Sequence, residues 1–376
     1  MKYATMGTKT ALLMLAMLGI MSNTAIITSI PQFEDLFADV KKINLLAKLM
    51  ITLPSLMIAI SSPFLGHIIY KTSVIKSAIV ALLFFALFGT AGLYLDDIYS
   101  LLISRLLLGI AIAILMIVTT TLIGAYFKHE ARYKFMGFQN SFVSIGGVLF
   151  ITCGGFLSDI DWRYPFGLYC ISVFMLPFVI KNIDEPKDIE EPTCEINISG
   201  NLLFVYFLGF LLMMVFYTLP TQMPFLIMNH FGASGTLTGL IVADAMLFYA
   251  FGALSFTTFK KHFMYGDIYA IGFAILGIGF IVIGNISAGP LYFLSAPVVG
   301  FGGGLLMTTT TSWVLDLAHY SERTKASGYL TSAIFSGQFV SPILFHPLVS
   351  FLGLQYFFLS LGIFIGIIIA VSKILK

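Results

Sequence analysis

The chain has 376 residues, of which 59% are hydrophobic and 10% charged, and its net charge is +2. Soluble domains carry about 25% charged residues, so this composition excludes an ordinary soluble protein. A helix that crosses a bilayer needs about 20 mostly apolar residues. Twelve such runs are predicted, over 9–30, 43–69, 76–95, 99–126, 135–158, 163–181, 201–229, 236–259, 267–287, 290–316, 324–348 and 351–372.

The first run follows Lys2 and Lys9, as a signal peptide would, but no small-x-small site ends it. It is expected to be a retained helix, and it carries Asn23 and Thr24. The second run holds Gly66 and ends near Lys71, and Pro54 and Pro63 lie inside it. The fourth contains "ISRLLLGIAIAILMIVTTT", Ile103 to Thr121, in which Arg105 is the only charge before Lys128. A charge near the bilayer centre costs about 2.5–3.5 kcal/mol on insertion scales, so Arg105 calls for compensation. The fifth run brings Gln139 and Asn140, and the three cysteines, Cys153, Cys170 and Cys194, imply no disulfide framework.

"DEPKDIEEPTCEINISG", Asp184 to Gly200, is polar, acidic and holds two prolines, and it reads as a linker between halves 1–183 and 201–376. Beyond it, the seventh run carries Tyr217 and, between Pro220 and Pro224, Gln222. The outer turn that follows contains "GASG", Gly232 to Gly235, which resembles the serine motif of intramembrane rhomboid proteases. Its place in a short turn instead predicts a helix cap. Asp244, the only carboxylate deep in an apolar run, sits in the eighth with Tyr249. It reads either as a coupling carboxylate or as a residue of a wet vestibule. Asp316 closes the tenth run on the same side as Lys260, Lys261 and Arg323, which suits an interfacial latch, and His346 near the end of the eleventh reads as a vestibule histidine or a titrating group. The threonine clusters 119–121 and 308–311 read as scaffold, and the sequons at Asn197 and Asn285 as chance.

Lys2, Lys9, Lys71, Lys76, Lys128, Arg132, Lys134, Lys181, Lys187, Lys260, Lys261, Arg323, Lys325, Lys373 and Lys376 are fifteen of the twenty basic residues, and all fall on one side if the N-terminus is inside. Only Lys41, Lys42, Lys48 and Arg163 lie outside or near it, which leaves Arg105 as the one basic residue in the membrane. Both termini are therefore expected in the cytoplasm.

Sliding the sequence by 191 residues places Gly109 on Gly300, Met116 on Met307, Thr119 on Thr310, Arg132 on Arg323, Ser141 on Ser332 and Gly146 on Gly337. The shift is close to half the length, which predicts two six-helix halves related by a parallel repeat. Arg105 falls on Ala296 and breaks the repeat. That favours a functional charge over a shared packing role.

Twelve helices, two repeat halves, a central linker and basic loops resemble the major facilitator superfamily across the whole chain. "RLLLG", Arg105 to Gly109, looks like the fourth-helix R-x-x-x-G motif of its drug:proton antiporter branch, whose arginine lines the cavity and is linked to proton coupling. "YTLPTQMPF", Tyr217 to Phe225, and "ERTKASGYLTSAIFSGQFVSP", Glu322 to Pro342, are similar to the seventh and eleventh helices of multidrug and metabolite exporters. The loop motif after the second helix is reduced to "GHIIYKTSVIK", keeping Gly66 and the Lys71 charge, with Tyr70, Ser73 and Val74 in place of Asp, Gly and Arg. The fifth-helix antiporter motif appears as "FITCGG", Phe150 to Gly155, without its Gly-Pro.

The resemblance implies an all-α fold and a secondary transporter of a bacterial inner membrane, acting as a monomer on a small molecule and protons. Neither cofactor nor nucleic acid is expected, and no phosphate-cradling or metal-binding motif is present. Together with the buried-carboxylate and latch readings above, it points to proton coupling through Arg105 and Asp244, a substrate cavity with Asn23, Asn140, Tyr217, Gln222 and Tyr249, and gating by Gly66, Lys71, Asp316 and Arg323. Symport or uniport for uptake stays open because the Gly-Pro is missing. A membrane sensor would be expected to carry a soluble signalling domain.

Overall fold

Gly, Pro and polar clusters punctuate the apolar runs, and in the computed structural model each run becomes helix. The structure describes residues 4–127, 129–185, 200–286, 288–319 and 322–374. Among the described residues fourteen α-helices follow in order: α1 Met6–Thr24, α2 Phe33–Leu36, α3 Ile43–Lys71, α4 Val74–Gly89, α5 Ile98–Tyr126, α6 His129–Ile160, α7 Ile171–Asn182, α8 Gly200–Phe216, α9 Thr218–Phe225, α10 Gly235–Lys260, α11 Tyr265–Asn285, α12 Tyr292–Leu317, α13 Arg323–Leu352 and α14 Leu354–Ile374. Among the described residues eleven helical stretches are long and apolar enough to cross a membrane. Helix α1, diluted by Lys9, Ser22 and Asn23, is the twelfth by position.

Local chemistry sets many of the boundaries. The Ser73, Asp97 and Ser234 side chains each accept a backbone N–H three residues on and cap α4, α5 and α10. The Ser234 cap fills the role expected of "GASG".

Three runs are less continuous than expected. Helix α1 stops at Thr24, short of residue 30, where the Ser22 and Thr24 hydroxyls bond the Gly19 and Ile20 carbonyls and Pro31 opens a 3₁₀ turn at Ile30–Gln32. The sixth run begins as a 3₁₀ helix, Tyr164–Cys170, with Pro165 at its start. The seventh breaks after Phe216, and the short α9, with Pro220 and Pro224, runs into a π-helical turn at Leu226–His230.

The described chain separates into two compact units, 1–193 and 194–376. In the first, α3 and α4 pack on α5, α1 on α5 and α6, and α4 on α7. In the second, α10 and α11 pack on α12, α8 on α12 and α13, and α11 on α14. Each pairing repeats at the sequence offset. One contact repeats at residue level: a Cβ on Gly109 would stand 2.6 Å from the Pro54 carbonyl oxygen, and one on Gly300 would stand 2.0 Å from that of Ala245. Pro54 and Ala245 are themselves 191 positions apart, so the same small-residue approach locks α5 to α3 and α12 to α10.

Candidate functional site

Arg105 lies about two turns into α5 and is fully buried. Its guanidinium carbon sits 4.8 Å from the centroid of the Phe166 ring and 5.1 Å from that of Tyr169. Both rings come from the 3₁₀ stretch Tyr164–Cys170, and glycines make room for them. A Cβ on Gly89 or on Gly92 would come within 2.4 Å of Tyr169 or Phe166 ring atoms respectively. The aromatic faces thus offer the charge cation–π contact in place of water.

The hydrogen bonds of this cluster have a direction. Arg105 Nη1 donates to the Tyr169 hydroxyl at 3.1 Å, and that hydroxyl donates to the Ser22 carbonyl at 2.6 Å. Ser22 lies in the last turn of α1, where carbonyls lack intrahelical donors. Tyr169 therefore ties the arginine to the point where α1 ends. Among the described residues, nothing accepts from Arg105 Nε or Nη2.

A second cation is buried in the first unit. Lys48, expected outside or near the outer surface, is 3% exposed within the apolar span Ile43–Ser62, with Glu34 as its charged neighbour. Arg105 is therefore not the only basic residue in a membrane span. Asn23 is buried and accepts from the Ser22 hydroxyl at 3.3 Å, whereas Asn140 is exposed on α6.

In the second unit Asp244 is half-buried, nine residues along α10, or about 14 Å from its start at 1.5 Å per residue. No described residue hydrogen-bonds its carboxylate. Gln222 on α9 is fully buried, and neither its Oε1 nor its Nε2 has a partner among the described residues. Tyr217 is buried just ahead of it, the Tyr249 ring packs 5.5 Å from that of Phe216, and His346 is half-buried on α13. The threonine hydroxyls turn back to their own helices. Thr119, Thr120 and Thr308 to Thr311 each donate to the carbonyl four residues earlier, and Thr310 also bonds the Tyr269 hydroxyl of α11.

Of the residues expected to gate, Gly66 lies on α3 with open space where a Cβ would stand, and the Lys71 side chain falls outside the described residues, as do Lys128 and the Arg132 side chain. Asp316 accepts from the Tyr265 hydroxyl. The Tyr265 ring stacks on Trp313 at 5.3 Å, and Lys260 Nζ lies 4.1 Å from its centroid. Arg323 Nε donates to the Leu315 carbonyl at 3.0 Å.

Glu185 was not apparent from sequence. Its Oε1 accepts the Val74 N–H at 2.6 Å, and its Oε2 accepts the Ser73 hydroxyl at 2.6 Å and the Ile75 N–H at 3.1 Å. A carboxylate from the start of the 184–200 segment thus sits on the N-terminus of α4, beside the loop that has lost its own Asp. Beside it, the Asp184 N–H donates to the Tyr126 hydroxyl at 2.9 Å. Tyr169 escaped notice for a similar reason, being 64 positions from Arg105. The signal was the matched three-residue spacing of Gly89 and Gly92 against Phe166 and Tyr169.

The Major Facilitator Superfamily profile matches residues 12–195 and 205–375. Among curated proteins, the multidrug efflux pump SdrM of Staphylococcus aureus (strain N315) is 23% identical over 214 residues, 56% of this chain and 47% of that protein. Multidrug resistance protein 2 of Bacillus subtilis (strain 168) is 28% identical over 171 residues, 42% of each chain. The matched stretch therefore spans less than half the length of either relative. Among solved structures, a bacterial homologue of the human lysosomal transporter Spinster, inward-facing and unoccupied, has a TM-score of 0.79 at 14% identity, covering 96% of this chain and 95% of that one. A D-xylose–proton symporter gives 0.74 at 15% identity, with 96% of each chain covered. At such identities the likeness concerns the fold.

Proposed function

Since the chain belongs to the Major Facilitator Superfamily, a family of multi-pass membrane transporters and not of enzymes, we propose that it exports a small organic compound in exchange for protons by alternating access. The two halves are 1–183 and 201–376, joined by the linker 184–200, with both termini in the cytoplasm of a bacterial inner membrane. Arg105 and Asp244 couple the proton. Asn23, Asn140, Tyr217, Gln222 and Tyr249 contact the substrate, and Gly66, Lys71, Asp316 and Arg323 take part in gating. The transporter works as a monomer.

Arg105 carries this reading. A guanidinium stays protonated in proteins, and here it is fully buried with two donors unpartnered, inside the stretch that resembles the antiporter motif. Such a fixed charge lowers the proton affinity of a carboxylate that approaches it and releases that effect when the carboxylate withdraws. Names of the two curated relatives, an efflux pump and a resistance protein, support the outward direction. Uptake by symport or uniport is the second reading, favoured by the absence of Gly-Pro from "FITCGG".

Metabolite profiling inside and outside cells, with and without the protein, identifies the compound. Proteoliposomes with an imposed pH gradient then test the coupling. Export driven by the gradient and lost in Asp244→Asn, with counterflow retained, is the expected result. Normal gradient-driven transport in that variant moves the proton to another group, His346 first, and inward movement with protons establishes uptake instead.

A further inference from the structure

Arg105 uses only one of its two hydrogen-bonding edges. Nη1 donates to Tyr169, while Nε and Nη2, which lie together on the opposite edge and present parallel N–H groups, have no acceptor among the described residues. The Phe166 and Tyr169 rings lie against the planar group, so the open edge is the remaining direction for a polar partner. Among the described carboxylates of the same unit, four have partners elsewhere. Asp96 pairs with Arg163, Asp97 accepts from Ser100, Asp161 accepts the Arg163 N–H and Glu185 caps α4. Asp35 and Asp39 are exposed, and Glu34 lies beside Lys48.

We propose that the Nε/Nη2 edge of Arg105 is an anion subsite that takes a carboxylate group of the transported compound. A carboxylate matches this fork with two parallel charge-assisted hydrogen bonds. A water molecule satisfies the donors but leaves the buried charge uncompensated, which is the costly state for an ion in an apolar interior. The proposal rests on the export reading for the identity of the ligand as a transported compound, but binding at the edge stands or falls separately. It narrows the substrate class to organic anions bearing at least one planar carboxylate.

The test uses the full chain purified in detergent and sodium benzoate as the probe, with benzamide as the neutral isostere and ionic strength held constant. Benzoate is expected to raise the thermal unfolding midpoint saturably, acetate to compete with it, and benzamide to do neither. Arg105→Lys keeps the charge but loses the fork, so its half-saturation moves to roughly tenfold higher benzoate. Arg105→Gln, where it folds, loses the response entirely. Tyr169→Phe leaves the open edge intact and keeps the benzoate response on a lower baseline. Equal effects of benzoate and benzamide on the wild type overturn the subsite and leave water at the edge, as does an unchanged benzoate response in Arg105→Lys. A saturable benzoate effect without pH-driven transport keeps the subsite and removes proton coupling; the reverse pair of results does the opposite.

Discussion

Tyr169 receives a hydrogen bond from Arg105 and passes one to Ser22, so a single hydroxyl joins the buried cation on α5 to the end of α1. Tyr169→Phe removes that oxygen and keeps the ring. The Ser22 carbonyl and Arg105 Nη1 are then buried without this partner, and an unsatisfied buried group costs about 1–3 kcal/mol. A lower unfolding midpoint in detergent is expected. A variant as stable and as active as the wild type would show that the hydroxyl contributes nothing.

The paired glycine contacts predict symmetrical sensitivity. Gly109→Ala and Gly300→Ala each drive a Cβ into a backbone carbonyl, where neither atom is on a flexible side chain. Overpacking of this kind costs about 1–3 kcal/mol. Gly328→Ala, which meets open space, is the control and should leave expression and stability unchanged. Loss of folded protein from the control alone would contradict the packing argument.

Glu185 should protect the start of α4. Its carboxylate accepts the N–H groups of Val74 and Ile75, both otherwise orphans of the first turn. In Glu185→Ala, hydrogen exchange of the peptide spanning Ser73 to Ser77 is expected to rise, and loss of a cap is worth about 0.5–2 kcal/mol locally. Glu185→Gln keeps an acceptor and should fall between. Identical exchange in all three proteins would show that the contact does not hold the loop in solution.

Asp97, which caps the start of α5, makes stability depend on pH. The Ser100 N–H, reinforced by its hydroxyl, holds the Asp97 carboxyl below the ordinary carboxylate range. A depressed folded value stabilises the native state above the unfolded value of about 3.9, and that contribution is lost as pH falls through the lower, folded value. Stability measured from pH 5 downward should therefore decline less steeply in Asp97→Asn than in the wild type. Parallel profiles would remove the cap from the account.

Much of this protein was legible one stretch at a time. Apolar runs about as long as a bilayer is thick, and the cap at Ser234, follow from local chemistry that needs no distant partner, whereas the breaks near Pro31, Pro165 and Pro220 appeared only in the structure. The 191-residue offset between Gly109 and Gly300 was equally visible, because a repeated packing solution keeps the same small residue in both copies. Arg105 also declared itself, since a lone charge in an apolar run is costly wherever the chain goes. Tertiary structure alone decided what surrounds it. The Phe166 and Tyr169 rings, the Gly89 and Gly92 gaps that receive them, the Ser22 carbonyl beneath, and the Glu185 carboxylate on α4 come from segments tens of positions apart. Lys48 went from an outer charge to a buried one for the same reason. Composition and periodicity report the energy of a residue in its own helix, whereas hydrogen bonds and ring contacts depend on which helix packs beside it, and that is set only when the whole bundle closes.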